Sequence, residues 1–206
     1  DHRLEVLRGD GFDLIDTLAW LYDEPFGDSS AFPTYRVCQL ARKHVTVALS
    51  GDGGDENFGG YRRYRMHVME QRWRDRLPQS LRRPVFGLMG AMYPKADWAP
   101  QMFRAKTTLQ AMALDPVEAY LHSVSATRAD ERSRLFSAGF RKELAGYTAL
   151  DVFRHHAAHA QTDDSLALIQ YLDYKTWLVG DINTKVDRAS MAHALEVREP
   201  LMDHGL

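Results

Sequence analysis

The chain has 206 residues, 45% of them hydrophobic and 26% charged, with a formal net charge of −2 and a single cysteine, Cys38. That balance is ordinary for a globular chain and lacks the basic surplus used for general nucleic-acid binding. One cysteine forms no intrachain disulfide, which fits a reducing cytoplasm. No apolar run approaches the ~18 residues that span a bilayer, so neither membrane nor nucleic acid is an expected partner.

The chain opens Asp1-His2-Arg3, without a signal peptide, in a strand-like segment (Leu4-Glu5-Val6-Leu7), and closes on Asp203-His204-Gly205-Leu206. Both ends read as cuts inside a longer protein. Phe12 to Tyr22 has helical spacing, and Asp23-Glu24-Pro25 stops it, because a residue before proline is pushed out of the helical region. Asp28-Ser29-Ser30 supplies N-cap candidates for a helix over about Ala31 to His44. Val45 to Leu49 is β-branched and apolar, the pattern of a buried parallel strand. Arg62 to Arg76 is expected to form a basic, aromatic-bearing helix. Shorter helical stretches follow, with breaks expected at Pro78, Pro84, Pro94, Pro100 and Pro116. Asp115 to Ser125, Glu131 to Phe136 and Leu150 to Ala160 keep helical spacing. Asp164 to Leu178 is the clearest helix, with an acidic start and Leu166, Leu168, Ile169, Leu172 and Trp177 as core candidates. A last helix is expected over Asn183 to Leu195, before an extended Glu196 to Pro200.

The expected class is therefore α/β and mostly helical: residues 1–61 form an α/β part and 62–206 a helical part. One or two strands belong to a parallel sheet whose other members lie upstream.

Between strand and helix lies Ser50-Gly51-Asp52-Gly53-Gly54-Asp55-Glu56. Open α/β sheets bind ligands at the carboxyl ends of strands. Glycines let backbone approach a ligand and adopt positive φ, and their amides offer donors to phosphate. Bare carboxylates repel phosphate, so Asp52, Asp55 and Glu56 make sense around a cation. Mg²⁺ is commonly held by one or two carboxylates plus substrate phosphates. The competing reading is a plain tight turn. The loop lacks the Gly-Lys-Ser/Thr close of a Walker A motif and the Asp spacing of an EF-hand.

Ser50 to Glu56, continued by Asn57-Phe58-Gly59-Gly60-Tyr61, resembles the signature of the asparagine synthetase C-terminal domain. Tyr22 to Ser30 resembles the acidic, serine-ended loop that precedes this strand in the family. Thr184 to Ala192 and Leu195 to His204 resemble its other hallmark. The resemblance implies part of an adenine-nucleotide α-hydrolase-like, PP-loop ATP pyrophosphatase domain. Such a domain uses Mg²⁺-ATP to adenylate the side-chain carboxylate of aspartate. Ammonia, released from glutamine by an N-terminal glutaminase domain, then displaces AMP and gives asparagine and pyrophosphate. The family's pyrophosphate loop, glutaminase cysteine and later catalytic lysine have no counterpart among these residues, so the chain alone is expected to be inactive. A homodimer is compatible with this reading.

The resemblance also assigns roles. Ser50, Gly51, Gly53 and Gly54 shape the nucleotide and acyl-adenylate loop together with Asp52 and Glu56, and Asp55 is the Mg²⁺ ligand. Asp52 stands where the family often has Glu and orients the acyl-adenylate and the amine. Lys185 or Arg188 faces phosphate, with Asp187 orienting one of them, although such a trio is otherwise read as a solvated face. Ala192, Glu196 and Val197 fall in the stretch that lines the ammonia passage, as does Arg198. Glu199 replaces an apolar residue common in relatives. Alternatives are an amidotransferase acting on another carboxylate and a non-catalytic nucleotide-binding fragment.

Three other features carry less. Cys38 sits inside an amphipathic helix and reads as structural. His155, His156 and His159 lack the glutamate of a metalloprotease helix and read as exposed. The Arg62-Arg63-Tyr64-Arg65 and Arg72-Trp73-Arg74 clusters read as a packing helix whose arginines reach solvent or an acidic neighbour.

Overall fold

A computed structural model describes Leu4, Val6, residues 12–94 and residues 105–205. The chain divides into two compact units: Asp1–Phe58 with Asp173–Leu206, and Gly59–Leu172. Glu5, Leu7 and Pro100 lie outside the described residues, and with them half of the expected first strand and one expected break. Among the described residues no helix is long and apolar enough to cross a membrane.

In the first unit a 3₁₀ turn (Phe12–Leu14) leads into α1 (Ile15–Tyr22). The helix ends where Asp23 turns left-handed at φ 56° and its N–H bonds the Ala19 carbonyl at 3.2 Å. Next come α2 (Ala31–Arg42), β1 (Val47–Leu49) and α3 (Gly54–Phe58). The chain re-enters this unit through a π-helical segment (Tyr174–Asn183), followed by α12 (Thr184–Met191), β2 (Glu196–Arg198) and a 3₁₀ turn (Pro200–Met202). β1 and β2 pair in parallel, with Val47 opposite Glu196, Ala48 opposite Val197 and Leu49 opposite Arg198. This is a mostly helical α/β arrangement with two parallel strands.

The sheet departs from expectation in burial. Only the Ala48 and Val197 face is covered, packing against Cys38, Ala189 and Leu195. Val47 and Leu49 point to the other face, and Leu49 is 74% exposed. Alternation along a strand makes that outcome inevitable when helices cover one side. The expected last helix also stops early. Ala194 takes φ 53° and the Leu195 N–H returns to the Ser190 carbonyl at 3.0 Å. That is the six-to-one closure of a Schellman motif, with buried Leu195 as its apolar partner.

In the second unit α4 (Arg62–Arg74), α5 (Gln79–Met92), α6 (Lys106–Ala113), α7 (Pro116–Val124), α8 (Ala129–Leu135), α9 (Ala138–Glu143) and α10 (Ala149–His159) lead to α11 (Ser165–Asp173). Their core holds Tyr64, Tyr120, Phe153, Ile169 and Leu172. Starts are capped locally: the Asp115 carboxylate accepts from the Glu118 N–H at 2.9 Å, with Pro116 at the first helical position. Two expectations fail along the helical stretch, the second of them where the chain has re-entered the first unit. Pro84 lies inside α5 instead of breaking it. Trp177, expected in the core, is 36% exposed. The helical path does not stop at Leu178 but widens into π turns, whose i to i+5 bonding rotates later residues off the α-helical stripe. α5 and α6 approach closely at Gly90, where a Cβ would stand 2.8 Å from Gln110 Cγ.

Candidate functional site at the ends of two parallel strands

Because β1 and β2 run in parallel, the segments that follow them leave from the same end of the pair. The Ser50 N–H donates to the Arg198 carbonyl at 2.9 Å, fixing the point of departure. Beyond it, the Gly54 N–H bonds the Gly51 carbonyl at 3.3 Å and the Asn57 N–H bonds the Gly53 carbonyl at 2.9 Å, turning the chain into α3.

The glycines of this loop do different things. Gly53 has φ 82°, and a Cβ there would stand 2.3 Å from Met202 Cγ. A Cβ on Gly54 would stand 2.9 Å from Leu201 Cδ1. Both are small because the 3₁₀ turn after β2 packs on them. Gly51 has no heavy atom within 4 Å of where its Cβ would stand, so its backbone is open. Asn57 locks the two segments: its amide donates to the Leu201 carbonyl, and its Oδ1 accepts from the Tyr174 hydroxyl. Beside the loop lies a cleft of about 480 Å³ lined by Leu49, Arg198, Glu199, Pro200, Met202 and Asp203.

The acidic residues separate into three environments. Asp52 is half-buried and accepts a hydrogen bond from the Ser50 hydroxyl. Asp55 is exposed in the first turn of α3. Glu56 is buried, only 2% exposed, and its charge adds to burial in raising the Tyr174 hydroxyl above its ordinary range. Glu199 is half-buried at the cleft; burial first, then the charges of Asp52 and Asp187, push its carboxyl upward. Asp52, Asp187 and Glu199 therefore share one electrostatic neighbourhood.

Lys185 stands elsewhere in its chemistry. It is 8% exposed, and its ammonium donates to Asp28 Oδ2 at 2.6 Å and to Ser30 Oγ at 2.8 Å. Ser30 was expected to cap α2 with its side chain; instead its hydroxyl and N–H both bond the Asp28 carboxylate, at 2.6 and 2.8 Å. Burial alone would raise the Asp28 carboxyl, but hydrogen bonds from Lys185 and Ser30 outweigh it and hold the group below its ordinary range. Asp181, facing Asp28, is pushed upward by burial and then by that like charge. Tyr22 closes the cluster by donating to the Lys185 carbonyl at 3.3 Å; burial raises its hydroxyl to about 12.

Arg188 is exposed and donates to the Leu21 carbonyl at 2.9 Å, while Asp187 is exposed beside it on α12. Ala192 is exposed at the end of α12. Glu196 is exposed and paired with Arg198 at 2.7 Å, whereas Val197 turns the opposite way into the apolar cluster. The structure thus gathers Ser50, Gly51, Asp52, Asp187 and Glu199, and places Lys185 in a second cluster. Sequence reasoning saw Asp28 and Ser30 as cap candidates within the loop from Tyr22, not as partners of Lys185, and gave no role to Asp181. An Asp two residues before a Ser is the pattern of a side-chain-to-backbone turn, but nothing local names the lysine that completes it.

Among the described residues no group of three or more His, Cys, Asp or Glu is placed to hold a metal by itself. His159 Nδ1 lies 2.7 Å from the His155 carbonyl oxygen. Cys38 is buried, which raises its thiol. In the second unit the Arg63 guanidinium lies 3.6 Å from the Tyr61 ring centre, and buried Arg74 pairs with Glu70 at 2.7 Å.

The family described as asparagine synthase matches residues 1–206. Asparagine synthetase (glutamine-hydrolyzing) 1 of Bacillus subtilis (strain 168) is 30% identical over 191 residues, 90% of this chain and 28% of its own length. A putative asparagine synthetase (glutamine-hydrolyzing) of Mycobacterium tuberculosis (strain ATCC 25618 / H37Rv) is 35% identical over 203 residues, 98% of this chain and 29% of its own. A putative asparagine synthetase (glutamine-hydrolyzing) 2 of Methanocaldococcus jannaschii is 42% identical over 127 residues, 60% of this chain and 23% of its own. The chain therefore spans 28–29% of the length of the first two. No solved structure matches it.

Proposed function

The chain belongs to the asparagine synthase family, and from that premise we propose that it forms part of an ATP- and Mg²⁺-dependent synthetase domain. In this reading the whole protein adenylates the side-chain carboxylate of aspartate and transfers ammonia to it, yielding asparagine, AMP and pyrophosphate. The domain is of the PP-loop ATP pyrophosphatase type. Its pyrophosphate loop and the glutaminase domain that frees ammonia from glutamine belong to parts of the protein beyond these residues.

One observation carries the proposal: the loop at the carboxyl end of β1 exposes the Gly51 backbone between Ser50 and Asp52, with Asp55 free to solvent nearby. Carboxylates standing in the same loop as open backbone suit a cation shared with phosphate. Asp55 would hold Mg²⁺, which when bound neutralises phosphate charge.

The remaining roles rest on this chain's own groups. A carboxylate is a poor electrophile, so the loop must hold it against the nucleotide while AMP becomes its leaving group. Asp52, oriented by the Ser50 hydroxyl, positions the incoming amine. Glu199, which lines the cleft beside the loop and whose carboxyl is raised by burial and then by Asp52 and Asp187, would accept the proton ammonia loses on attack. Arg188 is the exposed cation of α12 available to phosphate, whereas Lys185 acts through the Asp28–Ser30 loop that it holds.

ATP–pyrophosphate exchange by the full-length protein tests this directly. Exchange should require aspartate and fall at least about tenfold in Asp55→Asn, a loss of about 1.4 kcal/mol or more in transition-state binding. Exchange supported only by a different acid would redirect the substrate assignment. Exchange with no acid at all would refute adenylation.

A further inference from the structure

The second unit contains a cavity of about 900 Å³ walled by α5 to α10. Its size falls within the range of small-molecule sites. Much of its wall is apolar, including Leu121, Phe136, Phe140 and Leu144. Phe136 and Phe140 meet edge to face with ring centres 4.9 Å apart, giving one rigid aromatic side.

The charges on this wall are not matched to one another. Arg128, Arg132 and Arg141 line the cavity with two carboxylates, Glu118 and Asp130. Among the described residues, every hydrogen bond those three guanidiniums make goes to a neutral oxygen. Arg128 donates to Gln110 Oε1 at 3.3 Å and Thr107 Oγ1 at 3.0 Å, Arg132 to the Thr127 carbonyl, and Arg141 to the Ser133 carbonyl at 3.3 Å. A guanidinium carries several N–H donors in a planar fork suited to a carboxylate, so each keeps donors to spare. His122, on the same wall, has a buried Nε2 without a hydrogen-bond partner among the described residues. Buried polar atoms normally have partners, so this ring nitrogen leaves one hydrogen-bonding group unfilled on a residue of the wall.

We propose that this cavity binds a small organic carboxylate with an apolar body, the carboxylate on the arginines and the body against the Phe136–Phe140 side. Charge complementarity selects the head, because the guanidiniums outnumber the lining carboxylates and form no ion pair among the described residues. The apolar wall selects the body, and a small dianion such as inorganic phosphate would leave it unused.

The test uses the full-length protein, with 8-anilinonaphthalene-1-sulfonate as a fluorescent probe displaced by decanoate, decanol or acetate. Decanoate should displace it at least about tenfold more tightly than decanol, which lacks the charge, or acetate, which lacks the body. Arg132→Gln/Arg141→Gln should bring decanoate down to the affinity of decanol while decanol is unchanged. Ala129→Trp, at an exposed position on the cavity wall, should abolish displacement by both. Equal binding of decanoate and decanol would overturn the proposal. So would full decanoate affinity in either variant, each being checked for an unchanged circular dichroism spectrum.

Discussion

The two units differ in what holds them. The second is built on large buried side chains, with Tyr64, Tyr120, Ile169 and Leu172 each no more than 1% exposed. The first packs a smaller cluster, Cys38, Ala189 and Leu195, with Tyr22 and Leu178 buried elsewhere in the unit, and adds polar ties between distant segments. Lys185 reaches Asp28 across 157 positions of sequence, and Asn57 ties the loop after β1 to the turn after β2. Apolar burial is non-directional and gives stability, whereas hydrogen-bonded ties fix geometry at modest net gain. In the unit that gathers the candidate chemistry, directional contacts thus fix the loop, with open backbone left at Gly51 and carboxylates left at Asp52 and Asp55.

The contrast can be broken by substitution. The largest effect is expected in the second unit: Leu172→Ala should cost about 2–5 kcal/mol, read as a lowered denaturation midpoint and faster hydrogen exchange in α7 and α10. A loss below about 1 kcal/mol would mean that this core is not the source of stability. In the first unit Asp28→Asn should cost about 2 kcal/mol. Its pH dependence gives a sharper reading. The folded carboxyl titrates below its unfolded value of about 3.9, so the tie stabilises fully above that pH and is lost as pH falls through the folded value. The wild-type protein should lose stability in that acid window, and Asp28→Asn should flatten the slope there.

A third pair separates shape from chemistry within one loop. Gly53→Ala forces a side chain onto φ 82° and into Met202, and should cost about 1–3 kcal/mol. Gly51→Ala meets no atom and should change stability by less than about 0.5 kcal/mol, yet it should depress aspartate-dependent exchange. Equal stability losses would erase the distinction between the two glycines. The smallest effect belongs to the exposed Glu196–Arg198 pair, where Arg198→Ala should shift stability by at most about 0.5 kcal/mol.

Local pattern carried much of the fold. Helical periodicity located α4, α7, α10 and α11 to within a few residues, and β-branched content located β1. It could not name the partner of β1, because Glu196 to Arg198 lies far along the chain and alternation specifies a face rather than a neighbour. For the same reason it read 62–206 as one helical part, while pairing with β1 draws Asp173–Leu206 into a compact unit with the first residues. Pro84 read as a break because the local rule ignores the packing of α5 on α6. The π turns after Asp173 moved Trp177 outward, since a 3.6-residue period was assumed throughout. At the candidate site the Gly/Asp loop was visible as a motif. What its glycines touch, and that Lys185 is held by Asp28 and Ser30, depends on contacts no short spacing encodes.

The central claim is that the loop from Ser50 to Glu56 serves adenylation of a side-chain carboxylate. It is tested most directly by supplying the full-length protein with aspartate carrying ¹⁸O in that carboxylate, together with ATP and ammonia, and analysing the AMP formed. Adenylation requires one labelled oxygen to leave on the phosphate of AMP as asparagine forms, with both products strongly reduced in Asp55→Asn. Asparagine formed with unlabelled AMP would contradict the account.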